Sequence, residues 1–173
     1  SISSYRYSGD RTVLSYEEMN GYCNRAIKLN PNCKLTLILM QVNDMEDYMK
    51  NEGSGFVQDL LQSVQDTVRR HVGHRGIVCP LQPNLMSVVV QDINSDIKLR
   101  AFIESLRSRI AWNYRLIDPK YEISFSFGVA CYPENGMDMR IVHRKLVKAL
   151  QMAQEKHANC YVIYKEHLHG ELS

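Results

Sequence analysis

The sequence has no apolar run approaching the roughly 20 residues a membrane-spanning helix needs, so no such span is read in it. It also lacks a basic stripe interleaved with aromatics. Its basic residues come in small groups, Arg69-Arg70 and Arg107 with Arg109, which argues against a nucleic-acid partner. There is no Cys-x-x-Cys pair: Cys23, Cys33, Cys79, Cys131 and Cys160 are odd in number and far apart. With no signal peptide, that pattern indicates a reducing, cytoplasmic setting. No P-loop, Gly-x-Ser-x-Gly elbow, internal repeat or low-complexity tract occurs. Nor does the chain open on methionine, so it is read as a fragment, and any membrane anchor or further domain would lie outside it.

What is present suits one globular domain. In 173 residues, 45% are hydrophobic and 23% charged, with a net charge of +2. Ser15 and Glu18 form a capping box ahead of Met19, Tyr22, Cys23, Ala26 and Ile27 at helical spacing, and Asn30-Pro31-Asn32 ends that helix. Lys34–Val42 is too short and too apolar for a surface helix and reads as a buried strand. Asn43 is expected to start a short helix, and a second follows Gly53-Ser54-Gly55, with Phe56, Leu60, Leu61, Val64, Val68 and Val72 on one face.

Ile77–Cys79 and Met86–Val90 then read as a hairpin whose tip, Leu81-Gln82-Pro83-Asn84, has no glycine to supply positive φ. Residues 94 to about 112 are helical. Tyr121–Cys131 alternates bulky Ile123, Phe125, Phe127 and Val129 with small Ser124, Ser126, Gly128 and Ala130, a central strand with one face closely packed. Asp138 caps another helix, and Tyr161–Tyr164 is a last strand before an incipient helix. This order indicates an α+β fold, a ferredoxin-like palm with a mostly antiparallel central sheet flanked by helices.

Four stretches, together covering about residues 10 to 165, resemble one family. They are Asp10-Arg-Thr-Val-Leu14, the strand and helix of LILMQVNDMEDYMKNEG, ISFSFGVACYPENG at 123–136, and KALQMAQEKHAN at 148–159. The chain resembles the GGDEF domain of diguanylate cyclases, which condense two GTP into cyclic di-GMP. The resemblance implies a domain over 10–165, an N-terminal linker over 1–9, and over 166–173 the start of a linker to a missing domain.

In such cyclases two carboxylates hold Mg²⁺ on the triphosphate, because that cation takes hard anionic oxygens and nucleotidyl transfer is largely charge neutralisation. The resemblance places Gln41 at the strand-end carboxylate. It places Gln82 and Pro83 at the two glycines of the signature turn, Asn84 at its metal-binding acid and Leu85 at the catalytic glutamate. Proline adds bulk and removes a phosphate-binding N–H, and leucine can neither accept a proton nor bind a metal. The guanine readers fall on Met49 and Gln58. The phosphate-binding lysines fall on Glu46 and Gln154, and the product-inhibition Arg-x-x-Asp on Gly73 and Gly76.

These readings imply no catalytic residues, a lost Mg²⁺ site and no other cofactor. At most a degenerate nucleotide cleft of Gln41, Met49, Gln58, Gln82, Pro83, Asn84 and Gln154 remains. The expected role is a catalytically inactive regulatory or interaction module of cyclic di-GMP signalling. It would act on an adjacent domain of the same polypeptide, an EAL phosphodiesterase by analogy, with homodimerisation a further possibility and no direct membrane contact. Two other readings stay open: a metal-independent sensor of GTP or cyclic di-GMP, and a cyclase with ligands rearranged onto Asp44 or Asp47. Against the last, acids at a helix start complement the helix dipole without any metal. His71 and His74 with Cys79 lack a fourth ligand at zinc spacing, and His167 and His169 read as a solvated tail.

Overall fold

The computed structural model describes residues 16–93, 95–115, 122–156 and 159–170. Asp10–Leu14, the Ser15 capping box, Asn94 and Tyr121 lie outside them. Helix α1, Tyr16–Leu29, buries Met19 and Cys23. It ends where the exposed Asn30 side chain accepts from the Asn32 N–H at 3.1 Å.

Strand β1, Leu35–Val42, then runs through the middle of the sheet with every residue but Gln41 buried. Its side chains alternate between two cores. Leu35, Leu37 and Leu39 join α1 on one face, and Ile38, Met40 and Val42 join the other. A central strand covered on both sides must read as a continuous apolar run, which is why KLTLILMQV looked like one.

Helix α2, Met45–Glu52, starts two residues later than expected. Asp44 precedes it in the left-handed region (φ 64°) and gives no side-chain cap. Gly53, at φ 89°, joins α2 to α3, Ser54–Val72, a conformation glycine adopts without the steric cost of a Cβ. A 3₁₀ turn, Gly73–Arg75, leads to strands β2, Gly76–Gln82, and β3, Leu85–Gln91. The hairpin is longer than its apolar runs suggested, and its tip shrinks to Pro83-Asn84. Neither tip residue takes positive φ. The register instead shifts between Pro80 and Gln82, and that bulge supplies the local twist a glycine turn would have given.

Helix α4, Asp96–Arg115, is capped by Ser95 Oγ, which accepts from the Lys98 N–H at 3.2 Å. Strand β4, Phe125–Tyr132, precedes α5, Met139–Glu155, where Asp138 accepts from the Arg140 N–H at 2.8 Å as the sequence predicted. Strand β5 is Cys160–Ile163 and α6 a single turn, Glu166–His169.

The sheet order is β2-β3-β1-β4-β5. All neighbours are antiparallel except β4 and β5, which are parallel. One core lies between the sheet and α3 with α4, the other between the sheet and α1 with α5. The small face of β4 lets α5 settle close. A Cβ on Gly128 would sit 2.3 Å from Leu150 N and 2.8 Å from Leu146 O.

The final turn is fastened to α5. Lys145 pairs with Glu166 and Lys148 Nζ donates to His169 O at 2.9 Å. His169 Nδ1 accepts from the Lys165 N–H at 2.9 Å. His169 is therefore half-buried and bonded rather than solvated, while His167 is exposed. Among the described residues, no helix is long and apolar enough to cross a membrane.

Candidate functional site

The end of β1, the tip of the β2–β3 hairpin and the start of β4 converge. Gln41 is registered against Leu85 on β3 and Ser126 on β4. Asn84 closes on the next residue of β1 with two bonds. Its O accepts from the Val42 N–H at 2.9 Å, and its Nδ2 donates to Val42 O at 3.1 Å. Gln154, from the last turn of α5, donates its Nε2–H to Gln41 Oε1. Of the residues the sequence nominated, the structure therefore brings together Gln41, Asn84, Leu85 and Gln154. Gln82 and Pro83 stand exposed at the tip beside them. Met49 on α2 and Gln58 on α3 are exposed on the neighbouring helices, with no hydrogen bond to this cluster.

Sequence reasoning missed Asn43 as a site residue. It read as a helix start, since asparagine is a favoured N-cap. In the fold its Nδ2 donates to Ser124 Oγ at 3.0 Å and Ser126 Oγ at 3.1 Å, and its N–H donates to Ser124 O at 2.9 Å. Asn43 thus latches the β1 exit onto β4. The signal was present: two hydroxyls, Ser124 just ahead of β4 and Ser126 within it, where alanine or glycine would have packed as well.

The cluster carries no charge. Its side chains are amides, hydroxyls and one leucine, and most of the amides are bonded to each other or to the backbone. Asp44, Glu46 and Asp47 lie exposed just beyond it, in and ahead of the first turn of α2. Among the described residues, no three of His, Cys, Asp or Glu are grouped to hold a metal. His71 and Cys79 face opposite cores, with His71 Nε2 at 3.2 Å from Phe102 O and Cys79 packed among the α1 residues. A divalent cation on a triphosphate wants anionic oxygens, so this residue set does not fit the Mg²⁺ its location would suggest.

The model of the diguanylate cyclase GGDEF domain matches residues 16–160. The chain belongs to the GGDEF domain family. Solved GGDEF-type structures share the fold at low identity. The active GGEEF domain of a Vibrio cholerae diguanylate cyclase superposes with a TM-score of 0.76 at 13% identity, over 90% of this chain and 99% of that one. A diguanylate cyclase/phosphodiesterase from Caldicellulosiruptor saccharolyticus superposes with a TM-score of 0.73 at 19% identity, over 90% and 92%.

An uncharacterized protein of Synechocystis sp. is 17% identical over 142 residues, 82% of this chain but 20% of that protein's length. The chain thus spans about a fifth of that relative. The junction of the hairpin tip with the end of β1, lined by Gln41, Gln82, Pro83, Asn84 and Leu85, lies within the matched residues.

Proposed function

We propose that this GGDEF domain is a catalytically inactive regulatory or interaction module of cyclic di-GMP signalling. The observation that carries the reading is the state of Asn84. At the metal-binding position of the signature turn it is an uncharged residue whose side-chain Nδ2 donates to Val42 O and whose backbone carbonyl accepts from the Val42 N–H. Gln41, at the second metal position, is likewise uncharged and engaged by Gln154. Losing one catalytic interaction costs about 3–4 kcal/mol and leaves a weak enzyme. Here both metal carboxylates, the catalytic acid, the phosphate lysines and the base readers are replaced together. A neighbouring EAL-type phosphodiesterase domain, in a cytoplasmic protein, is the partner this module would tune. The fold it shares with a diguanylate cyclase/phosphodiesterase supports that partner by analogy.

The test is a thermal-shift series with GTP, GDP and cyclic di-GMP, each with and without Mg²⁺, beside chromatography for cyclic di-GMP after incubation with GTP. A ligand that binds the native state raises Tm by mass action. The proposed module gives no product, and no Tm rise that depends on Mg²⁺. A rise with nucleotide alone would make the domain a metal-independent sensor. Cyclic di-GMP formation, with ligands drawn from Asp44 or Asp47, would overturn the proposal.

A further inference from the structure

We propose that the open edge of β2, beside the basic end of α3, is a docking strip for an extended acidic segment of a partner protein, which adds to the sheet as a further strand. This surface is separate from the signature-turn cluster, and the proposal does not depend on whether that cluster is active.

β2 is the outermost strand at its side of the sheet, and no strand among the described residues pairs with its outer edge. A free edge presents unpaired backbone groups and is a template for strand addition. Pro80 shows how this edge is oriented. A proline cannot donate to a ladder, so it belongs where the N–H would face away from the neighbouring strand. With the period of two, Val78 and Gly76 share that outward orientation and offer their N–H and C=O to the open side. Pro80 and the bulge after it blunt the distal half of the edge. The proximal half, Gly76–Val78, carries no such guard.

That proximal half lies along a groove of about 660 Å³ between β2 and the last turns of α3. Val72, Ile77 and Val78 give it an apolar floor, and Asp66, Arg69 and Arg70 form its rim. Asp66 is already paired with Arg69. Arg70 is exposed and makes no ion pair among the described residues. The groove is therefore apolar below and positive above.

The same charge selects the occupant. A second copy pairing edge to edge would offer this rim no unpaired carboxylate, since its own Asp66 is engaged by Arg69. An extended segment with an apolar and an acidic residue two apart, both on the face toward α3, satisfies all three features at once. Its backbone pairs with Val78, its apolar side chains reach the floor, and its carboxylates meet Arg70.

The test uses the full chain and a short acetylated peptide with valine and glutamate in turn at every second position and threonine between them, with its lysine-for-glutamate version as control. Amide hydrogen exchange by NMR reports the edge directly. The expected result is slowed exchange at the Val78 N–H with the glutamate peptide only, weakening as salt is raised. Arg70→Glu should lower the affinity at least about tenfold, equivalent to about 1.4 kcal/mol. Its unchanged spectrum elsewhere would show that the fold survives.

The proposal is overturned if the glutamate peptide leaves Val78 exchange unchanged, or if the lysine peptide binds as well. Val78 protection without peptide also overturns it. Protection that grows with protein concentration would assign the edge to a second copy, and constant protection to the chain's own residues. Failure here leaves the nucleotide and Mg²⁺ results untouched, so the two proposals fall separately.

Discussion

Asn84 bonds both the N–H and the C=O of Val42, so it is a structural residue at a position that could have been chemical. Asn84→Ala removes one of those bonds and leaves a buried carbonyl short of a partner. It should destabilise the domain by about 1–2 kcal/mol in urea unfolding; an unchanged midpoint would mean that the clamp contributes nothing. Restoring charge alone should restore cation binding without turnover. Gln41→Asp combined with Asn84→Asp is expected to give a Mg²⁺-dependent rise in Tm that the parent lacks. Cyclic di-GMP formation should stay absent, because Leu85, Met49, Gln58, Glu46 and Gln154 are unaltered.

Burial makes another set of residues quiet. The Cys23 and Cys79 thiols are pushed up to about 12 and Cys131 to about 11, chiefly by desolvation. Thiolate is the reactive form. Ellman's reagent should therefore modify Cys33 and Cys160 in the native protein and the other three only on unfolding. At this scale the sequence makes legible only what a side chain cannot do: Leu85 carries no acid and Pro83 no N–H. It misled at Asn43, where the common use of asparagine as a helix cap hid a bridge to serines 81 and 83 residues away.

β4 and α5 meet closely. Any side chain at Gly128 would run into backbone atoms of Leu146 and Leu150, which cannot rotate aside. Gly128→Ala should cost about 3 kcal/mol by overpacking, read as a lower urea midpoint with an unchanged slope. That joint was legible beforehand, since the alternation of bulky with small residues through FSFGVA has no other economical explanation. The hairpin was less so. Its two apolar runs marked the strands, yet their true length follows from pairing, β3 along β1 and β2 along β3, where the bulge at Pro80 lies. Local composition does not carry that information. Likewise the last turn looked solvated because nothing in HLH announces Lys145 and Lys148 on a helix some twenty residues earlier.

For the whole molecule, histidines set the response to acid. His71 is lowered mainly by burial, with Arg109 and Arg75 adding to the effect against the bond to Phe102 O. His143 is lowered by burial. His169 is lowered by burial and by Lys156, His167 and Lys148. The fold favours their neutral forms, so the unfolded chain binds protons more readily. Their contribution is complete above the ordinary histidine value of about 6.5 and is lost as pH falls below it. Asp138 and Glu166, lowered by Arg140 and Lys145, act only in the carboxylate range further down. Tm should therefore drop between pH 7 and 5, and the slope should flatten in His71→Gln with His143→Gln. Equal slopes would assign the drop to other groups.

The fastening of the last turn also has a mechanical meaning. β5 is only four residues long and sits at the sheet's edge. A pull on Gly170 would by itself peel it away. With Lys145 and Lys148 gripping Glu166 and His169, the load passes instead into α5, seventeen residues long and seated over the middle of the sheet. Displacement at that end of the domain is thereby converted into a tug on the helix that carries Gln154, the residue holding Gln41 at the end of the central strand.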